Sequence, residues 1–193
     1  MSEKLKIVIL EGARGTGKSS IAQAWRRLVP ETTLINPTGF HETSRPKDDL
    51  NQIISYYKGL MDMVFSFTLN NVKGTIIFDR FFFTEKVFCD MYKKYDFTDY
   101  YRRLLIAIEG LSDKIDIKIV HVTAPTYVLA ERLQGRNKVQ FDKVSEDVYE
   151  SLAQIDKYRE VFKDVNDSLL LEYSNAEGTV EENLEKILAI IEK

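Results

Sequence analysis

The sequence predicts an α/β fold, in which a parallel sheet of five strands carries helices on both faces. Short β-branched runs alternate with longer amphipathic stretches along the whole chain. Parallel neighbours need crossovers, and every crossover here reads as helical. The first run ends in a glycine-rich turn that opens a helix. With 193 residues, 44% of them hydrophobic and 30% charged, the chain matches one globular domain over 1–193, large enough to bury a real core.

The elements follow in order. Lys4 to Glu11, KLKIVILE, is an apolar run of the kind found in a strand buried on both faces. Ser19 to Leu28 places Ile21, Ala22, Trp25 and Leu28 on one helical face and stops at Pro30. Thr32 to Ile35 is a weaker strand, followed by a loop at Asn36-Pro37-Thr38-Gly39 and irregular, polar sequence to Asp48. Asn51 to Asn71 spaces Ile54, Tyr57, Leu60, Met61, Val64, Phe65 and Thr68 as one long helix. Thr75 to Phe78 is a third strand, ending in Asp79-Arg80. Helices over Phe83–Tyr95 and Phe97–Leu111 lead to a strand at Ile115–Val122. Thr126–Leu133 and Ser145–Val165 are helical, with a polar, glycine-containing break at Gln134–Lys143 between them. Leu169–Tyr173 is the last strand. Thr179-Val180-Glu181-Glu182 has capping-box spacing and opens a helix that buries Val180, Leu184, Ile187, Leu188 and Ile191.

Composition removes several classes of function. Lys58 and Asp62 interrupt the most apolar helical stretch, so no run of about 20 apolar residues is available to cross a bilayer. The apolar run near the N-terminus meets Glu11 too soon for a signal peptide, which leads us to expect a cytoplasmic protein. A single cysteine, Cys89, excludes an intramolecular disulfide and a multi-cysteine zinc site; its place on a helix reads as a small buried hydrophobe. A formal charge of −3 argues against a protein devoted to non-specific duplex binding.

Gly12-Ala13-Arg14-Gly15-Thr16-Gly17-Lys18-Ser19 fits G-x-x-x-x-G-K-[ST] between a strand and a helix, the context that motif requires. Glycines let successive backbone N–H groups wrap phosphates, Lys18 neutralises β and γ oxygens, and Ser19 offers a hydroxyl to Mg²⁺; Ser20 extends the cradle. A plain connecting turn has no use for Lys18 followed by Ser19. The expected ligand is therefore a nucleoside triphosphate, with ATP and Mg²⁺ as the pair. Asp79, at the end of the third strand, is placed to bring an acid to the metal side of the phosphates, or else it caps the next helix. Arg80 has the fixed charge and fork geometry to hold a phosphate, against a plain surface ion pair.

Asp79-Arg80-Phe81-Phe82-Phe83-Thr84 resembles the D-R-[YF]-x-x-[ST] motif of thymidylate kinases, and the first loop is similar to their E-G-x-x-x-x-G-K-S. The deoxynucleoside kinases share that fold. Ala130-Glu131-Arg132-Leu133-Gln134-Gly135-Arg136 resembles the start of the arginine-bearing lid of such kinases, which gives a lid at about 134–143. The resemblance implies a P-loop kinase with strand order 2-3-1-4-5, Mg-ATP as donor, a nucleotide or nucleoside as acceptor, and a homodimer as its assembly. It also implies a role for Glu11, which in the deoxynucleoside kinases matches the base toward a hydroxyl acceptor and in thymidylate kinases keeps an acidic counterpart. A high-pKa hydroxyl benefits from such a carboxylate, whereas a phosphate acceptor needs charge compensation instead.

Arg132 and Arg136 share a face at i, i+4 and can meet the transferring phosphoryl group or simply solvate that face. The sequence does not choose among Arg132, Arg136 and Lys138, and Arg136 is preferred. The chain departs from thymidylate kinases where they carry an acid in the loop, here Ala13-Arg14, and where they carry R-E-P-G, here Ile35 to Gly39. Arg14 or Arg45 would then replace the lost acceptor contact, with Phe40 and Phe81 as the aromatic slot for a base. The favoured acceptor is a deoxynucleoside monophosphate. A hydroxyl on a nucleoside, an oligonucleotide 5′ end or a modified base is the alternative, and a nucleotide-switched regulatory protein is a third reading, without the N-K-x-D of GTPases.

Met91 to Arg103 interleaves aromatic and basic residues, so a nucleic-acid acceptor stays open beside the reading of aromatic core anchors with solvated charges. His121, inside a strand, reads as a satisfied interior histidine; His41, on a polar loop, has no partner pattern.

Overall fold

A computed structural model describes residues 4–37, 50–134 and 147–192. The expectations for Phe40, His41, Arg45, Arg136, Lys138 and nearly all of the lid lie outside the described residues. Five strands, β1 (Leu5–Glu11), β2 (Thr32–Ile35), β3 (Gly74–Asp79), β4 (Asp116–Thr123) and β5 (Leu170–Ser174), form one sheet in the order β2-β3-β1-β4-β5. Every pairing is parallel, as the helical crossovers require. This is the P-loop NTPase fold, with the strand order the resemblance implied. Around the sheet lie α1 (Lys18–Leu28), α2 (Leu50–Leu69), α3 (Phe82–Tyr92), α4 (Thr98–Glu109), α5 (Thr126–Gln134), α6 (Val148–Phe162) and α7 (Val180–Ile191).

Alternation along the strands divides the core. Ile7 and Ile9 of β1, Ile76 and Phe78 of β3, and Ile117 and Ile119 of β4 face one layer with α2, α3, α4 and α6. Val8, Leu10, Ile77, Val120 and Val122 face the other, with α1 and α7. The same parity assigns the polar strand ends. Glu11 follows Ile9 onto the α3/α6 face, and Asp79 follows Ile77 onto the α1 face. One glycine-rich turn thus stands between two acids that belong to different layers.

Several helix faces differ from the periodicity reading. On α2 the fully buried positions are Ile53, Tyr57, Met61 and Val64, while Ile54 and Leu60 are half-buried and Phe65 is exposed. The helix is turned so that Tyr57 meets Phe81 and Phe97, which rotates the expected stripe. Leu28 and Val180 are exposed, each at an end of its helix where the packed surface has run out. α3 stops at Tyr92 because Lys93 turns to extended backbone and folds its amine inward. The capping box of α7 is present in both directions, between Thr179 and Glu182. Among the described residues no helix is long and apolar enough to cross a membrane.

Candidate active site

The site forms where β1, β3 and β4 end, the edge at which parallel α/β sheets bind ligands. The loop from Gly12 to Gly17 turns tightly against β4. A Cβ on Gly12 would stand 2.2 Å from the Val122 carbonyl oxygen, and Gly17, at φ 85°, would drive one to 2.4 Å from the Asn175 amide nitrogen. No other residue fits either position, so the motif's glycines are set by close approach as well as by turning. Thr16 pins the loop from within, its hydroxyl donating to the Ala13 carbonyl at 2.9 Å. Lys18 is buried, with its ammonium donating to that same oxygen at 3.4 Å, which folds the charge back over the loop. Ser19 and Ser20 follow on the first turn of α1, where N–H groups and the helix dipole favour an anion.

Arg132 and Asn175 close the outer side of the loop. The Arg132 guanidinium donates to the carbonyls of Gly15 and Thr16, both at 3.2 Å, and to the Asn175 side chain at 3.3 Å. Asn175 in turn donates its amide to the Thr16 carbonyl at 2.7 Å. Arg132 therefore holds the loop's backbone, where the alternative reading had it merely solvate its helix face. Carbonyls at the crest of such a loop point away from the phosphates, and a fork-shaped cation beside them fixes the opposite N–H groups inward. Beside this clamp lies an open cleft of about 660 Å³, bordered by Tyr127, Arg132, Asn175, Glu177, Val180 and Asn183.

Asp79 is buried at the end of β3. Its Oδ2 accepts from the Asn36 amide at 3.0 Å, and its Oδ1 has no partner among the described residues. A buried carboxylate oxygen left unpartnered is costly, and a hydrated cation is a natural complement for it. The glycine cradle, the Ser19 hydroxyl and this oxygen together fit a magnesium-bound triphosphate. They name Ser19 and Asp79 as the residues that would hold the metal.

Arg80 adopts φ 77°, left-handed backbone that a side chain tolerates only at a cost of about 1 kcal/mol or more. The turn is secured by its N–H donating to the Leu10 carbonyl at 3.0 Å. It also delivers the next N–H, that of Phe81, to Glu11 Oε1 at 2.6 Å. The Arg80 guanidinium lies over the Phe88 ring at 5.9 Å, which leaves its charge near Glu11.

Glu11 is fully buried. Its Oε2 accepts from the Thr84 hydroxyl at 2.5 Å and from the Tyr158 hydroxyl at 3.3 Å, and those hydroxyls lie 2.6 Å apart. Burial pushes the carboxyl up to about 7; the Thr84 and Phe81 donors, then Arg80 and Lys18, pull against it without winning. Phe81, expected to face a base, is instead wholly inside, stacked on Phe78 and edge-on to Tyr57.

Beyond Glu11 the layer holds a buried ion pair. Lys93 meets Glu85 at 2.6 Å with both side chains almost fully enclosed, and Tyr95 and Cys89 donate to the same carboxylate oxygen. Burial and Glu85 together push the Cys89 thiol far up, so it is the inert buried residue expected. Tyr92, Lys93, Tyr95 and Tyr101, which had kept a nucleic-acid surface open, are engaged inside the molecule. His121 is buried as expected, but its Nε2 has no partner among the described residues, and desolvation holds its pKa down at about 4. Its ring packs against Tyr158 and Phe162.

Sequence reasoning passed over Asn175, Gln154 and Tyr158. Gln154, buried on α6, accepts from the Arg14 backbone N–H at 3.4 Å, and Tyr158 lies one turn further along the same helix. Only position could have found Asn175, since it follows β5 at the site's edge of the sheet. The two α6 residues sit at i, i+4 within a stripe that reads as ordinary core.

No family model matches the sequence, and no curated protein matches it. Solved structures do share its fold. The chain is similar to YorR of Bacillus subtilis, solved with phosphorylated GDP, at 18% identity and TM-score 0.67 over 96% of this chain and 95% of that one. It is similar to a deoxyadenosine kinase from M. mycoides at 18% identity and TM-score 0.59, covering 96% and 98%. A thymidylate kinase from Candida albicans matches at 14% identity and TM-score 0.53, covering 100% and 93%. The chain thus has the fold of the P-loop nucleotide and nucleoside kinases, end to end.

Proposed function

We propose that the protein is a phosphotransferase that moves the γ-phosphoryl group of ATP to a nucleotide, with a deoxynucleoside monophosphate as the favoured acceptor. The observation that carries this reading is the glycine loop with the Lys18 ammonium folded back over it, following β1, whose neighbour β3 ends in buried Asp79 with an Oδ1 that has no partner among the described residues. The names of the similar structures, a deoxyadenosine kinase and a thymidylate kinase among them, support the same reaction class. Loop N–H groups and the α1 N-terminus bind the phosphates, Lys18 neutralises developing charge, and Arg132 keeps the loop from relaxing. Magnesium, when bound at Ser19 and Asp79, supplies charge neutralisation on the β and γ oxygens. The cleft beside Arg132 and Asn175 takes the donor's nucleoside, and Arg80 faces the acceptor, with Arg14 as a second cation for it.

One observation favours a second acceptor chemistry. Glu11, with a pKa of about 7, is tuned to take a proton at neutral pH, which an acceptor hydroxyl requires and an acceptor phosphate does not. A panel of labelled reactions separates the two: γ-labelled ATP and Mg²⁺ with deoxynucleoside monophosphates, nucleosides, and 5′-hydroxyl or base-modified oligonucleotides. Label appearing in a diphosphate supports the first reading. Label on a nucleoside or a strand supports the second, and no transfer to any acceptor overturns both.

A further inference from the structure

We propose that Thr84 and Tyr158 are positioning residues for Glu11, a hydroxyl relay from α6 through α3 that sets the orientation and protonation of this carboxylate. The inference deepens the reading of Glu11 as the acid facing the acceptor, and rests on it for any effect on catalysis.

Proton counting fixes the direction of the relay. Thr84 and Tyr158 each own one hydroxyl proton, and both stand within reach of Glu11 Oε2. When Glu11 is ionised it only accepts. Thr84 then spends its proton on Oε2 at 2.5 Å and accepts from Tyr158 at 2.6 Å, while Phe81 N–H occupies Oε1 at 2.6 Å. Every proton in the network has an acceptor. When Oε2 is protonated and donates to Thr84, Thr84 turns its proton to Tyr158, and the Tyr158 proton exchanges its 2.6 Å bond to Thr84 for the longer 3.3 Å approach back to Oε2. Tyr158 is fully buried, its ring held by His121 at 5.6 Å and Phe162 at 5.8 Å, so the weakened bond is not made good by solvent. The relay therefore favours the ionised form against the burial that opposes it.

On α3, the buried Glu85 beside Thr84 is paired with Lys93. Lys18 on α1 and Arg80 after β3 favour ionisation. Tyr57 on α2, Tyr101 on α4 and Tyr158 on α6 are phenols whose own ionisation is pushed up by burial, so they remain neutral near pH 7. His121, the register partner of Glu11 on β4, is held neutral as well. Thr84 and Tyr158 are thus adjustable neutral donors that can be removed without changing net charge.

The test reads Glu11 directly. Carboxyl-labelled glutamate is incorporated into the whole protein, its Glu11 carbon resonance assigned by its loss in Glu11→Gln, and the titration midpoint followed by NMR with no substrate present. Thr84→Val should raise the midpoint by about one pH unit, Tyr158→Phe by less, and Thr84→Ser should restore it. Tyr158→Phe keeps the ring and its packing, so the relay stays testable if Thr84→Val fails to fold. Unmoved midpoints in the folded variants overturn the proposal. With a hydroxyl acceptor the acid limb of kcat/KM should move with the midpoint. A midpoint that moves while that limb stays fixed sustains the relay and overturns the role of Glu11 as base.

Discussion

The two sides of the phosphate loop are built from opposite materials. Toward α1 and α5 the polar groups act on backbone: Arg132 and Asn175 grip the carbonyls of Gly15 and Thr16 at the border of an open cleft. Toward α3 and α6 they act on one another inside the core, Glu11 with Thr84 and Tyr158, and Glu85 with Lys93 and Tyr95. The first arrangement shapes a loop for phosphates at little desolvation cost. The second buries charge, which stability alone would select against, and so points to a demand for particular proton and charge positions. Damage to the first side should therefore appear mainly in donor binding and transfer, and damage to the second mainly in stability and pH dependence.

The largest effect should come from Lys18→Ala. We expect transfer to fall by about 10³-fold or more with the melting temperature little changed, since charge on the transferring group is lost while the fold keeps its core. Lys93→Met should do the reverse. It leaves Glu85 buried without its cation, at a cost of about 3–5 kcal/mol in chemical denaturation, and should leave ATP affinity near its original value. Equal losses in both properties for either variant would break the division between the two sides.

Glu11 and His121 sharpen it through pH. The folded-state pKa of Glu11 is raised from 4.5 to about 7, so folding takes up a proton in that window and its contribution to stability is lost as pH rises through 7. That loss is about 3 kcal/mol. His121 is lowered from 6.5 to about 4, so its contribution is present above 6.5 and lost as pH falls toward 4. Between pH 4.5 and 6.5 the two oppose each other, and wild-type stability should be nearly flat as far as these groups set it. Glu11→Gln should unmask the histidine as a fall in stability with acidification, measured by denaturant titration at several pH values. A curve of unchanged shape would contradict the burial of either group in its neutral form.

Arg132→Ala should have the smallest effect of the four, a rise of about 10-fold in KM for ATP with a lesser fall in kcat, because it loosens the loop and removes no charge from the acceptor side. A collapse of kcat at unchanged KM would instead return Arg132 to direct contact with the transferring group.

The donor side was legible because its chemistry is local. Glycines, Lys18 and Ser19 must be consecutive to wrap a phosphate, and an acid at the end of a neighbouring strand must follow an apolar run such as TIIF. The sheet was legible for the same reason, since β-branched runs and helical crossovers are local patterns. The side toward α3 and α6 was not. Tyr158 lies far from Glu11 in sequence, and in α6 it is an aromatic at core spacing like Phe162 beside it. Lys93 reads as a solvated cation until the end of α3 turns it inward. Arg132 was found, but its grip on the Gly15 and Thr16 carbonyls was not, because a helix face shows which side chains travel together and not what they will meet.

We propose that the loop, Lys18 and Asp79 form a phosphoryl-transfer site. Its most direct test is transfer of label from γ-labelled ATP across the acceptor panel, run beside Asp79→Asn. We expect one acceptor class to be labelled by the wild-type protein and its labelling to fall at least about 100-fold in the variant. Undiminished transfer by Asp79→Asn, or ATP bound tightly and passed to no acceptor, would contradict the account.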